Sequence, residues 1–325
     1  MLNNLILNIR AKYIRLTLKH ILLSAILFGY PFITFAENIS VIYDKESPYQ
    51  TDFFNKLSAH LSEVKIVRIS TINSTELSPK LIKQQPIDTI INLDSNHIGD
   101  IIAFGLEVPT FHAMSTLASA RRYAPCLPDC SYSLPQHLFF VLDQPAARQL
   151  ELIRLISPTF HNIGVIVTQY SAPYLKQLNQ LSSYKQLTIT EHLSDSANVR
   201  FKIDNVSNTS DIILAIADTD IYNSSSLPQI LLTSYRHRTP IIGFSKGFIK
   251  AGAIAGTVSN VQHLVRHLGE YLLTPVRSKH LQNGNLIHPK YFDVISNRSV
   301  AKSLNLYFPS DELLKKQLSA YEDIQ

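Results

Sequence analysis

The sequence predicts an α/β protein made of two successive units, each a parallel sheet covered by helices. Short apolar runs alternate with amphipathic helical segments from about residue 39 onward. The alternation restarts after a proline-containing loop near residue 130, and a long tail follows the second unit. Strands that alternate with helices in this way form parallel sheets with helices on both faces.

The first unit contains four predicted strands, at residues 39–43, 64–69, 87–92 and 108–114. A helix over residues 50–61 follows the first strand and places Phe53, Phe54, Leu57 and Leu61 on one face. Shorter helical segments follow the second and third strands, around residues 81–82 and 98–104.

The second unit repeats the pattern, with predicted strands at residues 137–142, 162–167, 187–192, 212–217 and 240–244 and helices at 145–156, 172–181 and 227–235. The tail adds a strand at 253–258, a helix at 261–273 and short helices at 300–304 and 311–318, the last one preceded by a Ser310 N-cap signal. A tail of this length after two units predicts that the chain crosses back to the first unit and returns, which produces a hinge.

The N-terminus has the three parts of a cleavable secretory signal peptide. Arg10, Lys12, Arg15 and Lys19 form a basic region, an apolar run covers residues 21–35, and Ala36 ends a small-residue cleavage signal. The apolar run is shorter than the roughly 20 residues that span a bilayer. We therefore expect residues 1–36 to be removed and the protein to act in the periplasm; an uncleaved membrane anchor is the alternative.

Charge and cysteine content restrict the function further. The whole chain has a net charge of +5, but without the signal peptide it carries 26 basic and 25 acidic residues, so nucleic-acid binding is not indicated.

The two cysteines, Cys126 and Cys130, flank a short turn and predict a local disulfide in an oxidising compartment. His137 is the nearest further metal ligand, which is too few for a metal site. No Walker A or dinucleotide-binding motif occurs, so no cofactor is expected.

In sheets of this kind ligands bind beyond the carboxyl ends of the strands. This rule selects ten residues as candidate ligand contacts: Tyr43, Ser47, Ser95, His112, Asp143, Tyr170, Asp218, Tyr222, Asn223 and Ser245. The set is rich in hydroxyl, amide and carboxylate groups and suits a small polar or zwitterionic ligand, with Asp218 expected to bind an ammonium group.

A serine hydrolase is an alternative because residues 243–247 match the G-x-S-x-G pattern of a nucleophile elbow, with Ser245 as the nucleophile. The triad acid and histidine should follow in that order. Only Glu270 followed by His280 or His288 satisfies this order, and the expected glycine-rich oxyanion loop is missing from the sequence. The pattern is therefore better explained by turns at the edge of the sheet, and no enzyme activity is expected.

Several segments resemble ABC transporter substrate-binding proteins of the TrpX-like group, whose fold is similar to that of type I periplasmic binding proteins. The segments that carry the resemblance are residues 142–145, 148–150, 163–167, 217–223, 238–244, 250–253 and 297–301. The resemblance implies two Rossmann-like lobes with parallel sheets joined by multiple hinge crossings. It also implies Asp218 as the leading ligand contact.

From the pattern and the resemblance together, we expect lobe 1 to comprise residues 37–136 plus about 261–292, and lobe 2 residues 137–260 plus about 293–325. The implied function is a monomeric extracytoplasmic receptor that delivers a small polar, amino-acid-like ligand to an ABC permease and its ATPase. A ligand-presenting sensor for a membrane receptor is the alternative within the same fold.

Overall fold

The computed structural model describes residues 37–64, 67–182, 186–195, 198–273 and 285–323. The predicted signal peptide lies outside these residues. Within the described ranges, no helix combines the length and apolar character needed to cross a bilayer.

Lobe 1 is built on a six-stranded sheet with the order β11-β5-β4-β3-β1-β2, in which every pair is parallel. Its strands are β1 (Glu37–Tyr43), β2 (Val67–Asn73), β3 (Thr89–Asn92), β4 (Thr110–Ser115), β5 (His137–Val141) and β11 (Leu286–Ile287). Its helices are α1 (Pro48–Val64), α2 (Pro79–Lys83), α3 (Ile98–Ala103), α4 (Leu117–Arg121) and α10 (Val261–Leu273).

Lobe 2 is built on a second six-stranded sheet with the order β12-β10-β9-β8-β6-β7, parallel except for the antiparallel pair β10–β12. Its strands are β6 (Asn162–Val167), β7 (Thr188–Leu193), β8 (Ile212–Leu214), β9 (Ile241–Ile242), β10 (Ala255–Val258) and β12 (Asp293–Ser296). Its helices are α5 (Ala146–Ile156), α6 (Ala172–Ser182), α7 (Val199–Thr209), α8 (Leu227–Arg236), α9 (Lys246–Ala251), α11 (Arg298–Ser303) and α12 (Asp311–Glu322).

The predicted fold class, two parallel-sheet lobes with several hinge crossings, is confirmed. One boundary differs from the prediction, because β5 belongs to lobe 1 and not to lobe 2. Its residues pair with β4 on one side and with β11 on the other. The strand is buried along its whole length, as a strand between two neighbours in a covered sheet must be.

Each sheet is buried on both faces by apolar side chains. In lobe 1, the helices α1 and α10 place Phe53, Leu57 and Leu268 against one face of the sheet. In lobe 2, α5 and α12 pack Leu150 and Leu314 against the second sheet. The predicted N-cap of α12 is confirmed, since the Ser310 hydroxyl accepts a hydrogen bond from the Leu313 amide at 3.3 Å.

Within the described residues, the chain crosses between the lobes at residues 142–145, 259–260 and 288–292. Arg148, only 2% exposed, binds the first and third crossings together. Its guanidinium donates to the Gln144 side chain at 2.7 Å and to the Pro289 carbonyl at 2.9 Å, and it pairs with Glu322 through two hydrogen bonds. Gln144 in turn donates to the Ser259 hydroxyl of the second crossing at 3.0 Å. One buried network therefore connects these three hinge segments.

Candidate ligand-binding site

A cavity with a volume of about 810 Å³ lies between the two lobes. Lobe 1 contributes the first three turns of α1 and the start of α10, and lobe 2 contributes β12 and the segments that follow β9 and β10. The lining residues are Tyr49, Asp52, Lys56, Leu142, Phe244, Ser245, Lys246, Gly247, Val258, Ser259, Asn260, Val261, Gln262, Asp293 and Ile295. The volume falls within the range of small-molecule sites, and the position is the carboxyl edge of the strands.

The cavity has apolar walls with charged groups of both signs. The Lys56 ammonium lies 2.6 Å from the Asp52 carboxylate, one helical turn away on α1, and Tyr49 is half-exposed beside them. Lys246 of α9 and Asp293 of β12 face the cavity from lobe 2. A solute with both a positive and a negative group could therefore find complementary partners on both walls.

Of the ten predicted ligand contacts, Ser245 lines this cavity. Its hydroxyl accepts a hydrogen bond from the Phe248 amide at 3.1 Å and so caps the N-terminus of α9. The possible triad partners are engaged elsewhere: His288 hydrogen-bonds to the Asp143 carbonyl at 2.8 Å, and Glu270 binds the Tyr291 hydroxyl at 2.6 Å. His280 lies outside the described residues. Ser245 therefore caps α9 at the cleft, and the hydrogen bonds of His288 and Glu270 described here are to residues other than Ser245.

Asp218 is almost completely buried, with 1% of its surface exposed. One carboxylate oxygen accepts hydrogen bonds from the Thr168 hydroxyl at 2.6 Å and the Ser171 hydroxyl at 2.7 Å. The other accepts from the Asp220 amide at 3.0 Å. These bonds connect the turn after β6 to the turn after β8. Both oxygens of Asp218 thus accept hydrogen bonds from the protein itself. The expected contact between Asp218 and a ligand ammonium group stays a prediction.

Asp143 lies on the first crossing and is buried as well. Its Oδ2 atom accepts from the Leu117 amide at 2.6 Å, but its Oδ1 atom is buried without a hydrogen-bond partner among the described residues. Burial, with a smaller contribution from the Asp218 charge, raises the pKa of Asp143 to about 7. Asp143 and Phe244 line a second, much smaller cavity, and Phe244 also lines the large one.

His112 lies in the interior of lobe 1 and not at the cleft. Its Nδ1 atom is 3.2 Å from the side-chain nitrogen Nδ2 of Asn92, its Nε2 atom is 2.9 Å from Nδ1 of His137, and its ring stacks on Phe139. Burial lowers the pKa of His112 well below its usual value, and it lowers the pKa of His137 to about 4. Both rings are therefore neutral members of the core at physiological pH.

The remaining predicted contacts have local structural partners. Tyr43 is buried and stacks on Phe54, with ring centroids 4.8 Å apart. Ser47 accepts from the Gln50 amide at 3.5 Å at the start of α1, and Ser95 lies in a short 3-10 turn. Asn223 closes its own turn by accepting from the Ser225 and Ser226 amides.

Two tyrosines of lobe 2 complete the predicted set. Tyr222 packs between Phe244 and Phe248, its hydroxyl is buried without a partner in the described part of the chain, and burial raises its pKa. Tyr170 is partly exposed, and the guanidinium carbon of Arg122 lies 4.5 Å from its ring centroid.

Sequence reasoning missed the lobe 1 wall of the cavity, namely Tyr49, Asp52 and Lys56. The strand-end rule selects residues directly after a strand, whereas these three lie one to three turns into α1. A usable signal was present, since Asp52 and Lys56 are spaced four residues apart on the polar side of an amphipathic helix.

Two lobes, several crossings and a cavity between them define a bilobal solute-binding fold. A comparison with protein-family models matches residues 142–320 to the family described as ABC transporter substrate binding protein. The match covers more than half of the chain, and the chain belongs to this family. No curated protein shows significant sequence similarity.

Three solved structures share the fold. A conserved domain protein from Vibrio cholerae is 16% identical, with a TM-score of 0.57, over 86% of this chain and 97% of that one. The ABC domain in complex with L-Trp from Streptococcus pneumoniae is 15% identical, with a TM-score of 0.56 and the same coverages. A ligand-free, open substrate-binding protein with adhesive properties from Clostridium difficile is 17% identical, with a TM-score of 0.61, over 85% of this chain and 97% of that one.

Proposed function

We propose that the protein is a periplasmic receptor that binds a small polar solute in the interlobe cavity and delivers it to an ABC permease and its ATPase. The observation that carries the proposal is the 810 Å³ cavity, walled by both lobes and bordered by charged groups of both signs. A ligand held there contacts both lobes, so its binding free energy shifts the equilibrium toward the closed form. Membership of the substrate-binding family supports the same conclusion.

The ligand class that fits is amino-acid-like. The cavity offers Lys56 and Lys246 for a carboxylate, Asp52 and Asp293 for an ammonium group, and Tyr49 and Phe244 for an apolar or aromatic side chain. The Streptococcus pneumoniae structure with a bound L-Trp supports this class.

Export to an oxidising compartment is part of the proposal. Cys126 and Cys130 are joined as a disulfide, a bond that persists in exported proteins and is rare in the cytosol. The basic and apolar regions of residues 1–36 supply the signal for export.

A thermal-shift screen of residues 37–325 against amino acids, short peptides, sugars and nucleobases tests solute binding. A ligand at one hundred times its Kd should add about 2.7 kcal/mol to the free energy of unfolding. Lys56→Gln should weaken binding of the same ligand, whereas Lys80→Gln, an exposed change on α2 away from the cavity, should not. If no solute shifts the melting temperature, the protein is not a receptor for these classes.

Delivery to a permease and presentation to a sensor are separated by reconstitution. Loaded receptor should stimulate the ATPase activity of its cognate transporter in proteoliposomes. Stimulation of a membrane sensor, with no effect on the transporter, would support the sensor function in its place.

A further inference from the structure

Arg122 is a residue of lobe 1 whose side chain is held by lobe 2. It follows α4 directly, and its Nη2 atom forms an ion pair with the Oδ2 atom of Asp220 in the turn after β8. Its guanidinium carbon also lies 4.5 Å from the ring centroid of Tyr170, in the turn after β6. Both contacts span the cleft, so both exist only while the lobes are close together.

The two partners of Arg122 are held in place by Asp218. The Asp220 amide donates to one Asp218 oxygen at 3.0 Å, and the Thr168 hydroxyl donates to the other at 2.6 Å. The Thr168 oxygen in turn accepts from the Tyr170 amide at 3.1 Å. One buried carboxylate therefore fixes the two turns that present the anion and the aromatic ring to Arg122.

On lobe 1, the backbone on either side of Arg122 is also held in place by neighbouring residues. The Thr116 hydroxyl caps α4 by accepting from the Ser119 amide at 3.1 Å, and the Arg122 amide donates to the Ser119 carbonyl at 3.3 Å. The next residue, Tyr123, packs so closely on Gly99 that a Cβ atom there would lie 2.7 Å from the tyrosine ring. Little backbone freedom has to be lost when Arg122 meets its partners.

We propose that Arg122, Asp220 and Tyr170 form an interlobe latch that stabilises the closed form, and that Asp218 is the positioning residue of this latch. The idea rests on the proposed function only in that closure serves to retain a solute. The ion pair is 35% and 38% exposed, so water and salt screen it. Together with the cation–π contact it should change the closed-to-open ratio by about threefold to tenfold.

Distance measurements in the absence of any ligand test the latch. The two cysteines are joined to each other, which leaves engineered cysteines as the labelling sites. Lys80→Cys on lobe 1 and Asn208→Cys on lobe 2 are exposed positions for a fluorophore pair. Arg122→Gln and Asp220→Asn should each lower the closed-to-open ratio about threefold to tenfold, whereas Arg200→Gln, an exposed change of the same charge on α7, should leave it unchanged.

Three further measurements separate the latch from a general loss of stability. The Arg122→Gln, Asp220→Asn double variant should open no more than either single variant, because both remove the same pair. Asp218→Asn should open the lobes although Asp218 does not touch Arg122, and 1 M NaCl should open the wild type more than the Arg122→Gln variant.

An unchanged distance distribution in Arg122→Gln, with a native circular dichroism spectrum, would overturn the proposal. Strictly additive opening in the double variant would overturn it too. Neither outcome depends on a ligand, so a functional latch in a protein that fails the solute screen would reject only the proposed function.

Discussion

Asp143→Asn should change how the stability of the protein depends on pH. Asp143 is buried, its Oδ1 atom has no hydrogen-bond partner among the described residues, and its pKa in the folded protein is raised from 3.8 to about 7 by burial. Because the folded pKa lies above the unfolded one, the carboxyl group stabilises the fold when protonated. That stability is fully present below about pH 4 and is lost as the pH rises through about 7.

The magnitude follows from the two pKa values of Asp143. A difference of about three pKa units corresponds to about 4 kcal/mol of unfolding free energy lost once the group is ionised in both states. Most of this loss falls between pH 5 and pH 8, where the wild type should lose about 2–3 kcal/mol relative to the variant. The amide that the substitution introduces costs about 1–3 kcal/mol if it is left unpaired, but equally at both pH values, so it cancels in the comparison.

Urea unfolding of the wild type and of Asp143→Asn at pH 5 and pH 8 measures this difference. Histidines whose pKa is lowered by burial, such as His137 and His267, contribute equally to both proteins and cancel. Asp94→Asn is the control, because Asp94 is also buried but accepts hydrogen bonds from Ser74 and Asn96, and its loss should only destabilise. If the two unfolding free energies change in parallel between pH 5 and pH 8, the reasoning about Asp143 is wrong.

Three other substitutions test the packing and the hinge. Gly256→Ala should lower the free energy of unfolding by about 3 kcal/mol, because the added Cβ atom would clash with the Gly243 carbonyl oxygen. Gly247→Ala in α9, where the Cβ atom meets open space, should be neutral or stabilise by up to about 1 kcal/mol. Chemical denaturation of both variants measures these effects, and equal effects would contradict the prediction. Arg148→Met should cost about 3 kcal/mol, because it leaves the Gln144 oxygen and the carbonyls of the third crossing without their buried donor. A cost below about 0.5 kcal/mol by the same measurement would show that the network does not hold the crossings together.

The local pattern of the sequence predicted most of the helices and strands. Where it failed, the cause was physical. The helices α7 and α9 were not predicted, since α7 is rich in polar residues and α9 spans only six residues, too few for a clear period. The wall of the cavity formed by α1 was missed, because which turn of a helix reaches a cavity depends on the packing of the lobes.

The sequence by itself determined the α/β class, the two-unit order, the long returning tail and the family, since hydrophobic periodicity and short recurring segments are local properties of the chain. Only the tertiary structure decided that β5 belongs to lobe 1, because its neighbour β11 is distant along the chain, with Leu286 paired to Phe139. It also decided which groups bind the two Asp218 oxygens, namely the hydroxyls of Thr168 and Ser171 and the amide of Asp220. Such contacts form when segments that are distant along the chain come together in the fold, and a local sequence pattern does not predict them.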